Sequence, residues 1–416
     1  MSKHNSYRKT LVFSLVLVSC GALGYSTYLL LPVAYDLEYT QSLGTRIYNL
    51  NQIATVEGLM PSTEPNPNLN IKVIEPVTHI PTPESVRAIY ISSWVAGLSK
   101  YRDPIIKMLD DTELNAIVVD VKDSTGRIGF QVSDPLLSSL GAYEKRIPDV
   151  RALTSLLHSK HIYIIGRIAV FQDPYMTKKK PEWAITKKSD GTVWKDRKGL
   201  SFLDPAKEDV WEYTVAIAKE AYADGFDEIN FDYIRYPSDG NMKDINYHIN
   251  KGETRADNME KFFTYLHTEV KKETDIPISA DIFGLTTEST DDMGIGQVWE
   301  KVLPHFDFVA PMTYPSHYPG GQYGFKNPAD HPYEVITHAI TGAIAKTKAM
   351  KDYKETDLKK IRPWFQDFNL GAVYTKDKVQ AQIKALNELG LKSWMLWDPR
   401  NKYTPSAFEL ETENNL

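Results

Sequence analysis

The stretch Phe226-Asp-Glu-Ile-Asn-Phe-Asp-Tyr-Ile-Arg-Tyr-Pro-Ser-Asp-Gly240 alternates Ile229 and Phe231 on one face with Asn230 and Asp232 on the other. That repeat is the signature of a β-strand. Pro237 ends it, with Asp232, Arg235 and Tyr236 gathered at its carboxyl end. Working outward, short apolar segments of strand length recur at Arg87–Ser92, Asn115–Asp120, Ile162–Ala169, Glu228–Asp232, Pro277–Phe283, Phe306–Met312, Ile361–Gln366 and Ser393–Trp397. Helical patterns lie between them at Pro104–Leu109, Asp149–Lys160, Pro205–Asp224, Arg255–Thr274, Gly296–Leu303, Tyr333–Lys351 and Lys376–Leu389. Short strands alternating with amphipathic helices call for parallel pairing through helical crossovers. The expected fold is α/β, a (β/α)8 TIM barrel over residues 86–416 with its eighth helix reduced or missing. The first strand–helix turn has no dinucleotide-type glycine fingerprint, which disfavours a doubly wound open sheet.

The chain has 416 residues, and 42% hydrophobic with 25% charged residues suffices for a sizeable core. A formal net charge of -6 offers no basic footprint, so no nucleic-acid partner is expected. Cys20 is the single cysteine, which rules out an intrachain disulfide.

At the amino terminus Lys3, Arg8 and Lys9 precede an apolar run from Leu11 to Val33. Such a run spans a hydrocarbon core of roughly 30 Å. The flanking positive charge favours a cytoplasmic amino terminus. Residues 1–35 are therefore expected to form a stub and transmembrane anchor, a single pass at the cell membrane with the bulk of the chain extracytoplasmic. Leu17-Val-Ser-Cys20 offers an alternative, a lipoprotein anchored at Cys20. Residues 36–85, interrupted by Pro61, Pro65, Pro67, Pro76, Pro81 and Pro83, read as an extended stalk, with a short helix around Tyr39–Asn51.

In a parallel barrel the chemistry sits at the carboxyl ends of the strands. Those ends carry Asp120 and Lys122, Arg167 followed by Asp173, Asp232, Asp281, Tyr314 and His317, Gln366 and Asp367, and Trp397. Strand parity places Asp120 with Lys122, and Asn230 with Asp232, on the inward face. Cleaving a glycosidic bond needs two carboxyl groups, one to protonate the leaving oxygen and one to attack the anomeric carbon or activate water. Asp232 and Asp281 end successive strands, about 4.8 Å apart, near the roughly 5–5.5 Å of a retaining pair. Asp232 is assigned as nucleophile and Asp281 as acid/base, with Asp120 and Asp367 in reserve for the second role. Asp120, Lys122, Arg167, Arg235, Tyr236, Tyr314, His317, Gln366 and Trp397 are candidate substrate contacts; Trp364 reads as packing. The arginines and Lys122 would suit an anionic polymer, although neutral glycans also fit. No zinc-ligand spacing, phosphate-binding loop or serine-nucleophile elbow occurs, and no cofactor or catalytic metal is expected.

The runs Val86-Arg-Ala-Ile-Tyr-Ile-Ser, Val118-Val-Asp-Val-Lys-Asp, Gly166-Arg-Ile-Ala-Val-Phe-Gln-Asp-Pro, Phe231-Asp-Tyr-Ile-Arg-Tyr-Pro, Ala310-Pro-Met-Thr-Tyr-Pro-Ser-His-Tyr and Leu396-Trp-Asp-Pro occur in this order. From Val86 to Tyr403 the chain resembles a bacterial glycoside hydrolase-like barrel family of otherwise unknown function, distantly similar to the α-amylase and related glycosidases. The resemblance implies a TIM-type barrel whose strand-four aspartate, here Asp232, is the nucleophile. It also implies an acid/base from strand five, where that pattern has Glu and this chain has Asp281. The expected activity is hydrolysis of a polysaccharide outside the cytoplasm. The alternative is a non-catalytic carbohydrate-binding barrel that keeps the aromatic mouth but lacks a competent acid.

Overall fold

The computed structural model describes residues 77–272 and 274–410. The expected anchor, the Cys20 alternative, the helix near Tyr39–Asn51 and most of the stalk lie outside the described residues. Eight strands run parallel and close on themselves in sequence order, the last pairing with the first. They are β1 (Arg87–Ile91), β2 (Ala116–Lys122), β3 (Tyr163–Ala169), β4 (Glu228–Asp232), β5 (Ile278–Phe283), β6 (Phe308–Met312), β7 (Trp364–Gln366) and β8 (Trp394–Trp397). The principal crossover helices are α1 (Ser99–Asp110), α2 (Val150–His158), α3 (Glu208–Ala223), α4 (Arg255–Lys271), α5 (Trp299–Val302), α6 (Pro332–Ala349) and α7 (Lys376–Glu388). This is the (β/α)8 architecture. Among the described residues beyond β8, a 3-10 turn, Pro405–Ala407, stands where an eighth helix would be.

Local chemistry sets these boundaries. Asp149 caps α2 by accepting from the Ala152 N–H, and Thr254 with Asp257 forms a reciprocal capping box at the start of α4. The first helix differs from expectation: α1 begins at Ser99, ahead of Pro104, which sits inside it. Proline removes one helical hydrogen bond there, and the buried face of Ile105, Ile106 and Leu109 keeps the helix together.

Strand alternation divides the apolar residues into two cores. Ile229 and Phe231 of β4, Ile117 and Val119 of β2, and Ile278 and Ala280 of β5 face the helices. Ala88, Val118, Ile165, Ala310, Trp364 and Met395 fill the barrel interior. The interior is polar along β4, where Glu228, Asn230 and Asp232 share the inward parity and are all buried. At its amino-terminal floor the Arg362 guanidinium donates to both Glu228 oxygens, one at 3.2 Å, and Tyr163 Oη and Ser279 Oγ add bonds of 3.1 and 2.6 Å.

The compact unit starts at Val77, so the end of the expected stalk packs against the barrel floor. His79 stacks on Tyr222 with ring centroids 3.8 Å apart, and the Ile80 N–H donates to Asp227 at 2.9 Å. Apolar and hydrogen-bonding side chains between the prolines give that segment something to bind, which proline content alone did not indicate.

Candidate active site

The carboxyl ends of β3, β4, β5, β6 and β8 surround a cavity of about 450 Å³. Asp232 and Asp281 lie on its wall. Phe231 pairs with Ala280 in the β4–β5 register, so the two aspartates are the next residue on each of two neighbouring strands. Both have the inward parity.

Arg167 comes from β3, whose register sets it beside Asp120 of β2 and Asn230 of β4. Its Nη1 donates to Asp120 at 2.6 Å, while Nε and Nη2 donate to Asp232 at 3.1 and 2.5 Å. Burial by itself would lower the Arg167 pKa, but Asp232 and then Asp120 outweigh it and hold the guanidinium well above the ordinary arginine range. Asp120 also accepts from Tyr90 Oη at 2.6 Å. Burial pushes the Asp120 carboxyl upward, and Arg167 with these hydrogen bonds opposes the shift. Asp120 therefore fixes the arginine that fixes Asp232.

Asp232 takes a further hydrogen bond of 2.5 Å from the N–H of Tyr233. Tyr233 lies at φ 53, in the left-handed region that non-glycine residues seldom occupy. This turn aims its amide back at the carboxylate immediately after the strand ends.

Asp281 is held differently. Its Oδ1 accepts from Asn230 Nδ2 at 2.8 Å and from Trp364 Nε1 at 2.7 Å, and no cation pairs with it among the described residues. Burial, and then the charge of Asp232 beside it, push its carboxyl up to about 8. The two acids thus sit in opposed environments, one against a guanidinium and one against an indole and an amide.

Residues 88–403, well over half of the chain, match the family model described as "Putative glycosyl hydrolase domain". The chain belongs to this glycosyl hydrolase family. Among solved structures, the glycoside hydrolase domain of PgaB (BpsB) from Bordetella bronchiseptica is similar at 12% identity and a TM-score of 0.58, covering 79% of this chain and 100% of that one. At that identity the likeness establishes the shared fold. A hypothetical protein from Ruminiclostridium thermocellum is 33% identical, covering 46% of this chain and 96% of its own, with a TM-score of 0.42. An α-galactosidase from Thermus thermophilus is 12% identical, covering 80% and 61%, with a TM-score of 0.47. No curated protein matches the sequence.

In this glycosyl hydrolase barrel, Arg167, Arg235, Tyr314, His317 and Trp397 join the two aspartates on the cavity wall. Trp397 stacks on Tyr90 with centroids 3.9 Å apart and meets Trp364 edge-on at 5.6 Å. Tyr314 is buried where the charges of Asp281 and Asp232 reach it, while His317 is exposed at the rim.

Four other candidates are not on that wall. Lys122 is buried against Asp173 at 2.8 Å and donates to the Ala169 carbonyl at 2.6 Å. The β2–β3 register shifts between Asp120 and Lys122, so parity does not carry from one to the other. Tyr236 is buried and bonded to Asn258 at 3.0 Å. Gln366 accepts from the Ser316 N–H at 3.1 Å and donates to the Phe368 carbonyl at 2.8 Å, holding the β6 loop rather than facing the cavity. Asp120 stands behind Arg167. The reserve acid Asp367 is pushed up to about 6 by burial, yet both its oxygens accept from Thr404 at 2.8 Å, which fixes the turn after β8.

The sequence reading missed Tyr90, Tyr233, Phe283 and the indole donor of Trp364. Tyr90 and Trp364 share parity with inward residues of their strands, a signal that was present. Tyr233 and Phe283 depend on how the chain turns after the strand, which alternation does not encode. Among the described residues no group of His, Cys, Asp and Glu side chains is arranged to hold a metal ion.

Proposed function

We propose that the chain is a glycosidase in which Asp232 attacks the anomeric carbon while Asp281 protonates the departing oxygen. The placement of these two carboxyls, side by side on one wall and oppositely surrounded, carries this reading. Asp281 has its Oδ1 engaged by Asn230 and Trp364, which leaves Oδ2 to hold a proton toward the cavity. At neutral pH it is an acid, as the first step requires. The glycosidic C–O bond breaks, the proton goes to the leaving oxygen and Asp232 becomes esterified. Asp281, now a carboxylate, takes a proton from water, whose oxygen displaces Asp232 from the anomeric carbon. Tyr314 and the Trp397 ring supply apolar and aromatic surface for a sugar face. A non-catalytic binding barrel would lack a competent acid, and widely separated carboxyls would favour it; the adjacent register positions of Asp232 and Asp281 and the raised Asp281 carboxyl argue against it.

The substrate proposed is a polysaccharide at or near the cell surface. That location rests on the apolar run from Leu11 to Val33, with Cys20 lipidation as the other route to the same side of the membrane. The test is release of reducing ends from a panel of wall and capsule polysaccharides by the full-length protein. Asp232→Asn should lower turnover by roughly 10⁴-fold or more while leaving the thermal unfolding cooperative. Turnover retained in that variant would end the assignment.

A further inference from the structure

The carboxyl and guanidinium side chains on the cavity wall are Arg167, Asp232, Arg235 and Asp281. Arg167 is neutralised by its contacts with Asp120 and Asp232, and Asp281 is uncharged at neutral pH. Arg235 is different. Among the described residues no carboxylate lies within ion-pair distance of it, and its nearest acidic influences, Asp232 and Asp196, act only from further away.

Its plane is nevertheless fixed. The guanidinium carbon lies 5.3 Å from the Tyr233 ring centroid and 4.8 Å from that of Phe283. Nη1 donates to the Tyr236 carbonyl at 3.0 Å and to Ser238 Oγ at 3.3 Å. Nε and Nη2 make no hydrogen bond to the described residues. These two nitrogens form the side-on edge of the guanidinium, the edge with which Arg167 grips Asp232. Such an edge presents two parallel N–H donors matched to two oxygens of one oxyanion. Arg235 is half-buried, with this edge left open toward the cavity, and desolvation holds its pKa below the ordinary arginine range with no ion pair to restore it. Sugar hydroxyls could accept from this edge but would leave its charge uncompensated.

Building on the glycosidase reading, we infer that Arg235 receives an anionic substituent of the sugar, so that the substrate is an acidic glycan. The chemistry required is a ring-borne oxyanion, whether carboxylate, sulfate ester or phosphate ester. Tyr233 links this recognition to catalysis, because the residue whose ring packs on Arg235 also donates its amide to Asp232.

The experiment titrates full-length Asp232→Asn protein, which binds without cleaving, with oligogalacturonate, a chondroitin sulfate oligosaccharide, a phosphorylated mannan oligosaccharide and uncharged cello- and chito-oligosaccharides. At least one acidic probe should bind in preference to the uncharged ones, and the preferred arm identifies the anion. Adding Arg235→Met should weaken that probe by roughly 10- to 100-fold, with part of the loss restored by Arg235→Lys. The ratio of acidic to uncharged affinity is the readout, since a purely structural role for Arg235 would lower both together. Preference for uncharged probes, failure of every acidic probe to bind, or acidic binding undiminished in Arg235→Met would overturn the inference. Cleavage of uncharged glycans by the unmutated protein, without acidic binding, would leave the glycosidase reading standing and this inference refuted. Arg235-dependent acidic binding with no cleavage of any probe by the unmutated protein would do the reverse.

Discussion

At the scale of single residues, the division of labour proposed for the two aspartates follows from who touches them. Asp232 has the Arg167 guanidinium and an amide, whereas Asp281 has only neutral donors. A carboxyl raised to about 8 stays protonated below that pH and loses its proton above it. The proposed acid is therefore competent at low and neutral pH and fails as pH rises. The profile of kcat/KM should descend as pH passes through about 8. Asp281→Asn should abolish that limb and lower kcat by roughly 10²- to 10⁴-fold. A descending limb that persists in Asp281→Asn would assign the acid elsewhere. The residue types at the strand ends were legible in the sequence. Which of them would be paired with a cation was not, because Arg167 divides its bonds between two neighbouring strands.

At the scale of elements, the strands are constrained from outside as well as inside. Gly166 of β3 faces the helices, opposite the inward Arg167. A Cβ there would lie 2.9 Å from both Phe226 and Val121 side chains. Neither neighbour is the flexible end of a long side chain, so the strand would have to shift. Gly166→Ala should destabilise the protein by about 1–3 kcal/mol, read as a lower urea midpoint, and should displace Arg167 enough to reduce kcat. An unchanged midpoint would show that the packed layer yields more easily than these distances indicate. The same strands show where alternation misleads: the register irregularity after Asp120 sends Lys122 to Asp173 and away from the cavity. A single extra residue in a ladder reverses parity beyond it, and nothing in Val119-Asp-Val-Lys marks the place.

For the molecule as a whole, closure of the barrel buries charge at both ends of its axis. The carboxyl ends of the strands open to a cavity, while the floor encloses Glu228 and Arg362, neither of them exposed to solvent. Their chain separation makes this pair a clamp between β4 and the entry to β7. Removing one partner leaves the other charge buried alone. Arg362→Met should cost about 3–5 kcal/mol in denaturant unfolding, and Glu228→Gln combined with it should recover part of that loss. A small effect of the single substitution would mean that water reaches the floor. The segment from His79 to Thr82 covers this end, with Thr82 Oγ1 hydrogen-bonded to Tyr163 Oη at 2.9 Å.

The sequence by itself determined the barrel, because apolar alternation and helical repeats are local properties written along the chain. It also placed Asp232 and Asp281 at successive strand ends, since strand order equals chain order in a singly wound barrel. Tertiary structure alone decided which arginine is neutralised and which is not. That choice depends chiefly on contacts between residues far apart in the chain, Arg167 with Asp120 and Asp232, and Arg235 with the ring of Phe283. It likewise decided that Lys122, Tyr236 and Gln366 support the frame, because the direction of a side chain past the last paired residue is set by the loops packed around it.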